Sequence, residues 1–235
     1  MTHAREDEHL ILGASDRIEL IATIIMALAA IATAWSAFQA TKWGGIMAIE
    51  FSSANATRVE SSKTENLANS QRIVDVDVFT SWLDAVAEEI RNGDIPPVST
   101  SGYEPLPGTL SAFYFERMRP EFEVALDAWL ESDPLNDPDA PPSPFAMEEY
   151  QLAAAEETER LVTESETHRE AALDANQNGD NYVLTTVLFA LVIFFGGVSS
   201  KLGERRNRWI AITLALFLFA GGLFAFSQLP IVAPF

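Results

Sequence analysis

The chain has 235 residues, 48% of them apolar, a formal net charge of −19 and no cysteine. Without thiols there are no disulfides, no thiolate catalysis and no cysteine metal sites. The acidity is confined to residues 42–181, where nine Lys or Arg face twenty-eight Asp or Glu, and it argues against nucleic acid as a partner because phosphate repels carboxylates.

Residues 1–17 are short, polar and mixed in charge, and are expected to form a tail free in water or laid on the membrane surface. Residues 18–42 make an apolar run long enough for about 30 Å of hydrocarbon. The leader before it is net acidic and the run exceeds the roughly 7–15 apolar residues of a secretory signal, so it reads as a retained first span. Trp35 and Trp43 stand toward its far end, where amphipathic rings are favoured. Within it Ala29, Thr33 and Ala37 recur every fourth residue. Together with Gly196, Gly197, Gly221 and Gly222 they offer close helix contacts, either inside one protomer or between copies of a homo-oligomer. Thr33, Ser36 and Gln39, with Thr185 and Thr186 further on, suit either a narrow wet pore in such an oligomer or hydrogen bonds from helix to helix.

Residues 43–181 read as an acidic helical domain outside the membrane. A long helix is predicted over 45–92, with Val76, Phe79, Leu83, Val86 and Ile90 as its one-sided apolar stripe. Asn92, Gly93 and Asp94 stop it, and Pro96 and Pro97 make the stop firm. A small head follows at 103–131. Its Phe113, Tyr114, Phe115, Phe122, Leu126 and Trp129 are expected to pack with Phe79 and Trp82 into the one substantial core of this domain. Residues 132–144, with five prolines and three aspartates, read as a loop. Residues 145–178 are proline-free and acidic, and are predicted to return as the antiparallel partner of the first long helix.

Two further spans are predicted at 182–200 and 209–229. The loop between them, 201–208, carries Lys201, Arg205, Arg206 and Arg208 against Glu204 alone, and loops of this kind are held on the cytoplasmic side. Counting three spans then places the N-terminus in the cytoplasm, and the acidic domain and the tail 230–235 on the other side. No span carries a charge at its centre, which argues against a carrier.

Candidate chemistry is sparse. Asp174, Asn176, Asn178 and Asp180, with Gly179 sixth, match the opening of an EF-hand calcium loop. The bidentate glutamate due at the twelfth position falls on Thr185, inside the second span. The competing reading is that Asn178 and Gly179 loosen or cap the helix just before the membrane. Asp133, Asp137 and Asp139 suit turn chemistry beside proline or a divalent cation. His3, His9 and His168 have no metal-ligand spacing. No nucleophile with its base, phosphate loop or cofactor motif is present in the sequence.

The run Ala34-Trp35-Ser36-Ala37-Phe38-Gln39-Ala40 leaves the first span. Ala175-Asn176-Gln177 and Asp180-Asn181-Tyr182-Val183-Leu184 enter the second. With the terminal pair of spans and its basic turn, this layout resembles a group of uncharacterised bacterial three-span membrane proteins. The resemblance covers the membrane-proximal parts, and implies a bacterial inner-membrane location and a family without an enzymatic signature.

The sequence thus predicts an all-α integral membrane protein: three transmembrane helices, with a long helical hairpin and a small helical head between spans 1 and 2. The expected role is that of a non-enzymatic, cofactor-free oligomeric scaffold or accessory subunit acting through its acidic domain. Its expected contacts are the lipid bilayer, copies of itself and a protein partner outside the cytoplasm. The rival is a homo-oligomeric channel whose acidic vestibule attracts cations.

Overall fold

The computed structural model describes residues 2–98, 100–134 and 136–233. Among the described residues the regular structure is helical and no strand occurs: α1 (Thr2–Asn92), α2 (Leu110–Phe115), α3 (Pro120–Glu131), a 3-10 turn (Pro144–Ala146), α4 (Ala153–Ser199) and α5 (Arg205–Ser227). Three of these, α1, α4 and α5, are long and apolar enough to cross a membrane, as expected of a multi-pass membrane protein.

Three boundaries differ from the expectations. The segment 1–17, expected as a tail, is helical from Thr2 onward, and Met1 lies outside the described residues, as do Leu135 of the loop 132–144 and Pro234 and Phe235 of the C-terminal tail. The return helix begins at Ala153 rather than at 145. Phe145, Met147 and Tyr150 are instead drawn into the aromatic cluster of that part of the chain. Finally, α4 runs unbroken through Asn178 and Gly179. A Cβ on Gly179 would lie 3.7 Å from both the Ala40 carbonyl oxygen and Trp43 Cβ. A side chain there would make only ordinary contact with α1, and the glycine does not interrupt the helix.

The chain divides into two compact units, Met1–Ser53 with Thr167–Phe235, and Ala54–Glu166. The core of the first unit is built by Ile25 and Ala29 of α1, Phe189 and Val192 of α4, and Ala215 of α5. Small residues set how closely its helices approach. A Cβ on Gly196 would fall 2.6 Å from Met26 Cγ, and one on Gly222 would fall 2.8 Å from Phe189 Cε1. Without a strong hydrophobic driving force in lipid, this kind of contact supplies the packing energy.

In the second unit Phe79, Trp82 and Val86 of α1 pack with Tyr103, Met118, Phe122, Leu126 and Trp129. Phe79 meets Phe122, Trp129 and Phe145 edge to face at 5.6–5.9 Å between ring centres, the arrangement aromatic quadrupoles favour. The predicted stripe on α1 divides. Phe79 and Val86 are buried and Ile90 is half-buried, whereas Val76 and Leu83 face outward. The buried face is Asp75, Phe79, Trp82, Val86 and Glu89, with two carboxylates at its ends. Phe113 also departs from the expected core: it is exposed, and the Arg117 guanidinium lies 3.4 Å from its ring centre.

Two buried carboxylates organise this second unit. Asp75 accepts Nε of Arg119 at 2.9 Å and Nη2 at 2.6 Å, and the Tyr150 hydroxyl at 2.9 Å. Burial, and then the bond to Asp75, push the Tyr150 phenol up to about 12. The same carboxylate raises Arg119 further. Glu89 accepts the backbone N–H of Leu110 at 2.7 Å and that of Ser111 at 3.1 Å, as well as the Ser111 hydroxyl. It thereby satisfies donors at the start of α2 that have no helical partner.

Candidate functional site

In the first unit the polar residues of the apolar helices converge on one place. Ser36, Gln39 and Trp43 follow one another at i, i+3 and i+7 on one face of α1, and Tyr182 and Thr185 stand at i and i+3 on α4. Thr185 Oγ1 lies 3.0 Å from Ser36 Oγ and donates to it, and Tyr182 O is 2.8 Å away. Beyond the last turn of α5, Gln228 and Leu229 donate back to Ala225 and Phe226, and Pro230 cannot continue the helix. The chain then passes this face without regular structure.

There the Gln39 amide reads the backbone of Val232 on both sides. Nε2 donates to the Val232 carbonyl at 3.0 Å, and the Val232 N–H donates to Oε1 at 3.0 Å. The Pro230 carbonyl accepts Trp43 Nε1 and the Tyr182 hydroxyl, both at 3.1 Å. Tyr182 also lies edge-on to Phe226 of α5 at 6.0 Å. Ser36, Gln39 and Tyr182 are fully buried. In an apolar surrounding an unpaired backbone group costs several kcal/mol, so these side chains supply what the segment 230–232 lacks. The result is a clasp for non-helical backbone, made of neutral groups that orient and hold.

The residues singled out for pore lining or packing separate accordingly. Gln39, offered to a pore, is engaged within the protomer. Thr33 returns its hydroxyl to the Ala29 carbonyl at 2.7 Å. Ala29 is buried and Ala37 exposed, because a step of four residues turns about 40° past a full turn and two steps turn about 80°. Gly196 and Gly222 are committed to contacts inside the unit, a Cβ on Gly197 would lie 3.9 Å from Met26 Sδ, and one on Gly221 would meet open space.

The metal candidates fare differently from the expectation. Asp174, Asn176, Asn178 and Asp180 lie on the continuous helix α4, where alternate residues point about 200° apart and cannot converge as a loop would make them. Asn176 Nδ2 instead donates to Asp180 at 3.2 Å. Asp133 and Asp137 are engaged in turn hydrogen bonds, from Asn136 Nδ2 at 2.8 Å and from the Asp139 N–H at 2.9 Å. Among the described residues no group of three or more His, Asp or Glu is placed to hold a metal ion. His168 pairs with Glu50 at 2.7 Å. Of the basic set, Lys201 lies in the turn after α4, while Arg205, Arg206 and Arg208 form the first turn of α5.

What the sequence reading missed was the partner segment. Gln39 and Trp43 were visible, but their partners at 230–232 are backbone atoms, which no side-chain pattern announces. Proline directly after the apolar run 209–229 was the available signal. Compared with known protein families, with curated proteins and with solved structures, the chain has no match.

Proposed function

We propose that this protein is a non-enzymatic, oligomeric scaffold or accessory subunit of a bacterial inner membrane, acting through its acidic helical part. In this reading the N-terminus and the basic residues 201–208 are cytoplasmic. Residues 43–181 lie outside the cytoplasm as a long helical hairpin with a small aromatic-cored head. The observation that carries it is the outward apolar stripe on α1 formed by Ile73, Val76 and Leu83, which are 69%, 44% and 41% exposed. They recur at the three- and seven-residue spacings of a helix-pairing seam, on a helix whose other face is already filled by the aromatic core. Inside the bilayer, Ala30, Ala34 and Ala37 are exposed at spacings of four and three, which permits close approach of a second copy. The internal engagement of Ser36, Gln39 and Thr185 weighs against the channel.

The deciding experiment is the mass of the detergent-solubilised complex, corrected for bound detergent, for the native chain and for Ile73→Glu with Leu83→Glu. A multimer that falls to a monomer with unchanged helicity supports the scaffold. A native monomer without a co-purifying protein overturns it, as does cation conductance in planar bilayers. Orientation is tested in this thiol-free chain by Asp139→Cys and Gly203→Cys. A membrane-impermeant reagent should label the first site alone on intact cells, and labelling of the Gly203→Cys site alone reverses the assignment.

A further inference from the structure

On α5, opposite the face that packs Ala211, Ile212 and Ala215 into the unit, lies a shallow, wide-open apolar groove. Its lining is Arg206, Trp209, Ile210, Thr213, Leu214 and Phe217. These follow the i, i+3, i+4, i+7 ladder of one helix face. Phe217 and Ile210 are 75% and 59% exposed, and with the Trp209 ring they wall the groove on both sides of Thr213.

We propose that this groove is a site for one anionic phospholipid, its phosphate on Arg206, its glycerol beside Trp209 and one acyl chain laid between Trp209 and Phe217. Length, charge and order along the helix all fit. From Arg206 to Phe217 the helix rises about 16 Å, close to the roughly 15 Å of one hydrocarbon leaflet. The charge stands at the end where headgroups lie, the indole next, and only apolar or hydroxyl side chains deeper, which is the order of a lipid molecule. In the sequence just before and at the mouth, Lys201, Arg205 and Arg206 stand against one acid, Glu204, which accepts Asn207 Nδ2 at 2.8 Å. Guanidinium and phosphate also match in geometry, through paired N–H donors. The inference rests on α5 lying in a bilayer and is independent of whether the protein is a scaffold.

The test is tryptophan quenching in vesicles of phosphatidylcholine holding the full chain and a minor share of brominated lipid, either phosphatidylglycerol or phosphatidylcholine. The Trp209 component is isolated by difference from Trp209→Phe. Brominated phosphatidylglycerol should occupy the groove about fivefold in preference, the effect of one basic residue near a membrane surface. Arg206→Gln should bring the ratio near one, while Arg205→Gln, outside the groove, should leave most of it. Equal quenching by the two lipids overturns the site, as does an equal loss in both variants, which would mean diffuse attraction to the basic turn. Quenching by neither lipid overturns it too, because a protein surface would then cover the groove or α5 would lie outside the bilayer.

Discussion

Replacing Gln39 by leucine should release the C-terminal segment while leaving the helices in place. Four hydrogen bonds hold Pro230 and Val232, and at about 1 kcal/mol each they contribute roughly 4 kcal/mol. Fixing three residues costs about 1–2 kcal/mol each, least for Pro230, whose φ is already set, so about 4 kcal/mol in all. The half-buried Val232 side chain adds about 1–2 kcal/mol, which leaves the docked state favoured by that same small margin. Gln39→Leu removes two of the four bonds, about 2 kcal/mol, and turns the balance toward release. Amide hydrogen exchange of the C-terminal peptide reads this directly: the Val232 N–H should exchange about tenfold faster, as a change of 1.4 kcal/mol per decade requires once release is nearly complete. The amides of Gln228 and Leu229, bonded within the end of α5, are the internal reference and should not change. Trp43→Phe should have a smaller effect, because Tyr182 still serves the Pro230 carbonyl. An unchanged Val232 rate would refute the reasoning. So would an equal acceleration at Gln228 and Leu229, which would mean loss of the helix end and not of the clasp.

Asp75→Asn should destabilise the second unit by about 2–4 kcal/mol, somewhat below the usual cost of breaking a buried pair because Arg119 retains 22% of its side-chain exposure; near-ultraviolet circular dichroism against denaturant measures it. The Tyr150 phenol is raised from 10.0 to about 12 in the folded chain. Its contribution is therefore whole below pH 10 and is lost as the pH rises through 12. Unfolding stability should fall over that interval, by about 1–2 kcal/mol after allowance for its partial exposure. Tyr150→Phe should flatten the fall, and an equally steep fall in that variant would discount the assignment. Gly222→Val should disrupt the packing of α5 on Phe189, whose ring atom already lies 2.8 Å from where a Cβ would stand, whereas Gly221→Val meets nothing within 4 Å. Thermal aggregation in detergent should separate the two variants, the first failing several degrees earlier, and a Gly221→Val chain as unstable as Gly222→Val would contradict the packing.

The spans were legible because their signal is one of length and uniform apolarity, which neither tertiary contact nor register can disguise. Their boundaries were not. Asn178-Gly179 reads as a break on local propensity, yet about 1 kcal/mol of unfavourable glycine propensity is too small to interrupt a cooperative helix of 47 residues. The apolar stripe over 76–90 was found in the right helix but assigned the wrong width. A spacing of three and four is satisfied by two adjacent faces, and only the third dimension shows that Phe79 turns inward while Val76 and Leu83 turn out. Phe145 and Tyr150 were missed as core residues for the opposite reason. Phe145 sits in a single 3-10 turn and Tyr150 in the irregular chain after it, both too short or too irregular for a period to be read.

The clasp shows where a functional reading from polar residues in apolar spans goes astray. Gln39 and Ser36 were candidates for a water-filled path or for hydrogen bonds from helix to helix, the second of which Ser36 makes with Thr185, because polar side chains in hydrocarbon are costly and therefore purposeful. That premise holds, but it does not identify the purpose. A buried carboxamide carries a donor and an acceptor in fixed relation, which is also the pattern of one peptide unit. Once a helix ends near the hydrocarbon and the chain must turn back across it, backbone groups need such a partner as much as water or an ion would. Gln39 meets that need with both of its atoms on one residue, Val232. A pore through this face would first have to displace the segment 230–232, so conductance that appears only when Gln39→Leu frees it would give the channel reading its one physical route.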